Sequence, residues 1–166
     1  MGDELRHEFF LCYDQRSFYN GFVNDMELGL RERLRGIYSD VTVDHILHPK
    51  NAESIPNPDG YAACDSGCGE IMKIWLRIRN NMVADAGFWT NGCAATVACG
   101  SMSTVLAIGK SVSQAMAITA QDIADALTDL PQGNFHCAEL AAQTLRSALK
   151  DCLSIQQEPW KKLYRK

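Results

Sequence analysis

Hydrophobic positions along the chain change period more than once, and those changes mark out its elements. From Tyr19 the spacing Tyr19, Phe22, Val23, Met26, Leu30, Leu34, Ile37 is that of one helical face. It predicts a helical N-terminal extension over residues 1–36, although Gly21 and Gly29 each cost about 1 kcal/mol relative to alanine inside a helix. Such a face either packs on its own domain or docks another chain. Ser39 or Asp40 can then cap a short helix through Val43, Ile46 and Leu47 that Pro49 stops. Turn chemistry fills residues 49–60.

The period next falls to two. In Ile71 to Arg79, Met72, Ile74, Leu76 and Ile78 share one face and Lys73, Trp75, Arg77 and Arg79 the other, which predicts a half-buried strand. Asn80-Asn81 suits a tight turn, and Val83 to Thr90 returns with Ala84, Ala86 and Phe88 alternating. Residues 61–66 can add an edge strand. After Gly92 the period is 3.6 again: a helix from Cys93 to Ile108 closed by Gly109, shorter helices over 113–118 and 121–128, a loop at Pro131 and Gly133, and a last helix from His136. Helix, strands, then helices without regular alternation predict an α+β fold, a three-stranded antiparallel sheet with its helices on one face. The expected organisation is the extension at 1–36, one domain at 37–155 and a basic C-terminal tail at 156–166.

Composition narrows the function classes. The 166 residues are 46% hydrophobic and 22% charged, with 16 basic and 20 acidic side chains and a formal net charge of −4. A chain of this length buries enough surface to fold without disulfide or metal staples. The mild acidity gives no electrostatic reason to expect nucleic acid, and no run approaches the about 18 apolar residues of a membrane span. Seven cysteines, an odd number, follow a polar N-terminus without a signal-peptide pattern. A reducing, cytoplasmic setting is expected, with thiols that stay free or bind metal.

Three of the cysteines stand where chemistry is favoured. Cys68 lies in Gly67-Cys68-Gly69-Glu70, where glycines let the backbone approach an inorganic ligand. Cys93 and Cys137 each stand at a predicted helix start, whose partial positive charge favours a thiolate. Glu70 and His136 are neighbouring candidates for a fourth ligand. Soft thiolates select zinc or iron–sulfur chemistry over magnesium or calcium. Cys12, Cys99 and Cys152 read as packing, and His45 and His48 as surface or capping residues. Cys64, four residues before Cys68, is either a packing residue or a partner in a shared metal site.

The ordered segments Tyr38-Ser39, Asp44-His45, Pro49-Lys50-Asn51, Cys68-Gly69-Glu70-Ile71-Met72, Asn91-Gly92-Cys93-Ala94, Gly109-Lys110-Ser111, Leu130-Pro131 and Phe135-His136-Cys137 resemble the IscU/NifU N-terminal family of iron–sulfur cluster scaffolds. The resemblance spans roughly residues 37–153. It implies a carrier, not an enzyme, that assembles a 2Fe-2S cluster from iron and persulfide sulfur of a cysteine desulfurase and passes it to apo-proteins. It makes Cys68, Cys93 and Cys137 cluster ligands, with Glu70 in the place of a metal-binding aspartate and His136 in that of the family's histidine. Cys137 would also accept the persulfide, and zinc can occupy the same site. The resemblance leaves monomer and homodimer open.

Two departures stand out. Glu70 is one methylene longer than the usual aspartate. Leu130-Pro131-Gln132-Gly133-Asn134 replaces the family's Leu-Pro-Pro-Val-Lys, which counts against handover by an Hsp70-type chaperone. The alternative reading is a zinc-bound sulfur acceptor that stimulates a desulfurase, as in the related SufU branch. Only 43 residues lie between Cys93 and Cys137, too few for that branch's insertion.

Overall fold

A computed structural model describes residues 26–67, 69–128 and 130–157. Cys12, Cys68, the aromatic positions before Met26 and most of the basic tail lie outside them. The chain divides after Ile37 into two units. In the first, residues 26–35 form a helix, α1, with an Arg31–Glu27 ion pair one turn apart. Met26 and Leu30 are exposed on it. Ile37 lies beyond its end, where its N–H meets the Leu34 carbonyl, so it does not extend the helical face.

The second unit opens with α2, Asp40–Leu47. Of the two candidate caps it is Ser39 that serves, its hydroxyl accepting from the Thr42 amide. The Ser39 and Thr42 hydroxyls both also donate to the Leu127 carbonyl, which fixes α2 against a distant turn.

Three strands follow, β1 (Gly60–Asp65), β2 (Ile71–Arg79) and β3 (Met82–Thr90), antiparallel in the order β1-β2-β3. The β2–β3 hairpin closes on Asn80 and Asn81, both at positive φ (52° and 61°), the conformation that a two-residue turn matching the strand twist requires. Met72, Ile74 and Leu76 are fully buried, as their alternation predicts. Ala84 is the correction. The pairing shifts register between Arg77 and Ile78, leaving Ala84 as an extra residue on β3. Ala84 is therefore exposed, and Val83 takes the buried place expected of it.

The helices are α3 (Ala94–Ala107), α4 (Val112–Met116), α5 (Ala120–Ala126) and α6 (Phe135–Gln157), with a single 3-10 turn over Gln132–Asn134. Both α4 and α5 begin one residue earlier than their apolar spacing suggests, because Ser111 with Gln114 and Thr119 with Asp122 form reciprocal capping boxes. Gly109 closes α3 at φ 80°, as its position predicts.

α6 packs across β1 and β2 while α3 packs on β3. Phe88, Met72, Ile74 and Leu76 from the sheet meet Ala95, Ala98, Cys99, Leu145 and Leu149 from the helices in one core. Burying each large side chain contributes roughly 1.5–3 kcal/mol. Close approach of β1 to α6 depends on Gly60, where a Cβ would fall on the Ala148 carbonyl and 2.9 Å from the Cys152 Cβ. The Tyr61 amide, on the edge strand, donates to Asp151 of α6 at 2.8 Å. Among the described residues no helix is long and apolar enough to cross a membrane.

Candidate metal centre

Three chain segments end at the same edge of the core, and each delivers one part of the site. The first is the β1–β2 loop. Asp65 Oδ1 accepts from the Gly67 amide at 2.6 Å, and Ser66 N–H donates to the Glu70 carbonyl at 3.0 Å. Gly67 and Gly69 both take positive φ, 80° and 89°, which a side chain would oppose. Asn91 then fastens the loop to the end of β3, accepting from the Ile71 amide at 2.7 Å and donating to the Gly69 carbonyl at 3.3 Å. The fold therefore fixes Glu70 from both sides.

The second segment is the start of α3, where Cys93 is the residue preceding the first turn and its side chain makes no capping bond. Glu70 supplies that missing group. Its Oε1 accepts from the Cys93 amide at 3.0 Å, satisfying a donor that the helix leaves unpaired and placing a negative charge at the positive end of the helix. The third segment is the first turn of α6, which carries His136 and Cys137.

These parts converge. One ligand atom each from Glu70, His136 and Cys137 lie within 4.8 Å of one another. Cys137 Sγ is 3.4 Å from His136 Nε2 and 4.0 Å from Cys93 Sγ. The Glu70 carboxylate is 4.0 Å from His136 Nε2, with side-chain exposures of 19% and 49%. The site is thus open on the histidine side and closed beneath Cys137, which is fully buried while Cys93 is exposed.

Burial changes the chemistry expected of Cys137. A helix start alone favours the thiolate, yet here desolvation pushes the thiol up to about 12. The Thr96 hydroxyl opposes this, and the neighbouring Cys93 and Glu70 add to it. Burial therefore favours the protonated thiol at Cys137, and a cation ligated there would have to displace that proton.

The other described cysteines, Cys64, Cys99 and Cys152, separate from this cluster. Cys64 stands opposite Met72 on the helix-facing side of β1, with its Sγ 3.8 Å from Ser147 Oγ. Ser147 is ten residues along α6 from Cys137, about 15 Å of helix, so Cys64 packs away from the site. Cys99 and Cys152 are buried, and burial raises the Cys99 thiol far out of range. His45 is not a surface residue: it is buried, with Nδ1 2.7 Å from Ser101 Oγ. His48 is the exposed cap of α2.

Two residues of the site carry no signal in a search for ligands. Thr96 lies fully buried at its centre, in contact with Glu70, Cys137 and Cys93. A lone hydroxyl three residues after Cys93, in the run Ala94-Ala95-Thr96-Val97-Ala98, is the trace it leaves in the sequence. Tyr38 is the other. Burial raises its phenol, the Cys93 and Cys137 thiols act on it in the same direction, and Asn134 donates to its oxygen at 3.4 Å.

The donor set of sulfur, imidazole and carboxylate on three element ends fits zinc or an iron–sulfur cluster and not a hard, all-oxygen cation. The molecule is thus an α+β protein that gathers thiols, an imidazole and a carboxylate at one end of a three-stranded sheet. Residues 37–159 match the family described as the NifU-like N terminal domain, and the chain belongs to that family.

Among curated relatives it is 40% identical over 116 residues to the iron–sulfur cluster assembly scaffold protein IscU 1 of Archaeoglobus fulgidus, covering 69% of this chain and 76% of that one. It is 34% identical over 125 residues to the scaffold protein IscU of Escherichia coli, covering 72% and 97%. The N-terminal part of a NifU-like protein from Brucella abortus shares the fold, with a TM-score of 0.55 at 17% identity over 71% of this chain and 95% of that one.

Proposed function

We propose that this protein is a scaffold on which an iron–sulfur cluster is built and from which it is handed on, the cluster being its cargo. The observation that carries the reading is the convergence of Glu70, His136 and Cys137 within 4.8 Å, with Cys93 Sγ 4.0 Å from Cys137 Sγ. Cys68, in the glycine loop just before Glu70, is the third thiolate of the proposed set, with Glu70 or His136 as fourth ligand. A 2Fe-2S core held by three thiolates and one oxygen or nitrogen ligand is gripped less firmly than one held by four, which suits transfer. The half-exposed His136 is the side from which cargo enters and leaves.

In this reading Cys137 accepts sulfur from a cysteine desulfurase. Once a bound cation has displaced the proton that burial favours, the Cys137 sulfur attacks the outer sulfur of the donor's persulfide, that S–S bond breaks, and the donor thiolate leaves, so no external oxidant is consumed. The recipients are apo iron–sulfur proteins, and the setting is a reducing cytoplasm in which the five described cysteines remain free thiols. The role is carriage and not turnover of a substrate.

Anaerobic reconstitution with ferrous iron and sulfide tests it. The expected result is a 2Fe-2S spectrum that Cys68→Ser, Cys93→Ser and Cys137→Ser each weaken or abolish. A parent chain that takes up no cluster overturns the reading. The mixed sulfur, imidazole and carboxylate set also fits tetrahedral zinc, which supports the alternative of a zinc-bound sulfur relay. Metal analysis of protein purified without added iron, beside a desulfurase assay, distinguishes the two.

A further inference from the structure

We propose that Thr96 is a positioning residue of this metal site, its hydroxyl held between the Glu70 carboxylate and the Cys137 sulfur so that both ligands face one metal before it arrives. The inference rests on the metal-site reading above and concerns a side chain that is not itself a ligand.

Thr96 Oγ1 lies 3.2 Å from Glu70 Oε2, 3.2 Å from Cys137 Sγ and 3.4 Å from Cys93 Sγ. A hydroxyl has one proton and two lone pairs, so it donates to one of these groups at a time and can accept from a neighbouring thiol. Its partners come from the β1–β2 loop and from α6, 26 and 41 residues away in the chain. The oxygen therefore ties three element ends together at the point where the ligands meet.

The side chain has little freedom to do otherwise. Threonine is branched at Cβ and restricted about χ1, and Thr96 is fully buried. The Gly92 backbone presses against it: a Cβ at residue 92 would fall 2.7 Å from the Thr96 Cβ and 2.8 Å from Oγ1. Gly92 is itself held by its amide, which donates to Thr90 Oγ1 at 3.0 Å. Removing an outer partner that orients metal ligands typically costs about 10–100-fold in metal affinity.

Cobalt(II) alone is the probe, titrated into reduced parent chain, Thr96→Val and Thr96→Ser in competition with a chromophoric chelator. Valine fills the same volume without a hydroxyl, and serine keeps the hydroxyl without the methyl. The expected result is a loss of about 10–100-fold in cobalt affinity for Thr96→Val, with a displaced thiolate-to-cobalt charge-transfer band. Thr96→Ser is expected to restore both. Far-UV circular dichroism checks that the helices persist, and Thr96→Ala provides a second hydroxyl-free variant should valine perturb the fold. Equal affinity in parent and Thr96→Val, or equal loss in Thr96→Ser and Thr96→Val, overturns the role of Thr96 alone. A parent chain that binds no cobalt overturns the metal-site reading and this inference with it.

Discussion

Glu70→Asp tests whether the longer carboxylate is built into the fold as well as into the site. Shortening the side chain by one carbon withdraws the carboxylate by about 1.5 Å. Contacts of 3.0 Å to the Cys93 amide and 3.2 Å to the Thr96 hydroxyl then exceed hydrogen-bond reach. The loop cannot follow, because the Asn91 side chain grips it at Gly69 and Ile71 while Ser66 closes on the Glu70 carbonyl. Hydrogen bonds to a charged group contribute about 1.5–3 kcal/mol each when fully protected. Water returns part of this to a partly exposed side chain, leaving a cost of about 1–2 kcal/mol. The unit Tyr38–Lys166, at roughly 2.1 cal/mol/K of unfolding entropy per residue, loses about 4 °C for each kcal/mol. The metal-free Asp variant is therefore expected to melt about 4–8 °C below the parent in a circular-dichroism scan. Glu70→Gln, which keeps the reach and loses the charge, is expected to fall less. An unmoved midpoint in Glu70→Asp refutes the claim that this carboxylate caps α3.

Further expectations follow from burial. Mass-spectrometric mapping of iodoacetamide labelling at pH 8 is expected to show Cys93 modified well before Cys137. A thiol at about 12 has roughly a thousandfold less thiolate at that pH than an unperturbed one, and its labelling rate should still be climbing above pH 10. Gly60→Val is expected to lower the urea midpoint by the equivalent of about 1–3 kcal/mol, since strand and helix must part to admit it; unchanged unfolding would show that β1 can shift freely. His45, buried and hydrogen-bonded to Ser101, has its imidazole lowered by desolvation. Neutral in the fold, it contributes stability present above the unfolded value near 6.5 and lost as pH falls below it. His45→Gln should flatten the stability–pH slope just below pH 6.5, as read by denaturant titration.

Period and punctuation carried the fold where local chemistry decides it. The alternation of Met72, Ile74 and Leu76 with Lys73, Trp75 and Arg77 specifies which face of β2 is buried, and Asn80-Asn81 specifies the turn. The bulge at Ala84 has no such trace: an alanine suits either face, and only the pairing of Arg77 and Ile78 with their partners reveals the extra residue. Helix starts at Cys93 and Cys137 were equally legible from Gly92 and the spacing after His136. Their opposite exposures were not, because burial at Cys137 depends on what α3 and the loop place over it. Thr96 is hidden for the same reason, a side chain whose partners lie on two other elements. His45 shows the converse, a polar residue whose buried partner Ser101 is 56 residues away.

The unequal exposure of the two thiols bears on how such a site can release what it holds. If both sulfurs were exposed, each would lose its proton near the ordinary thiol value, and a bound cation would be open to exchange with thiols in solution. If both were buried at Cys137's depth, the cost of forming thiolates without a cation would keep the site shut. In the proposed site the pair would divide these tasks: Cys93 offers an accessible sulfur at the rim, and Cys137, 4.0 Å away, would give up its proton when a cation stands close enough to offset the desolvation. In the proposed scaffold, loss of the cation would return that cost and favour reprotonation of Cys137. In that reading lability would come from where the fold buries a single sulfur, while the Glu70 carboxylate, fastened to the start of α3, keeps its place.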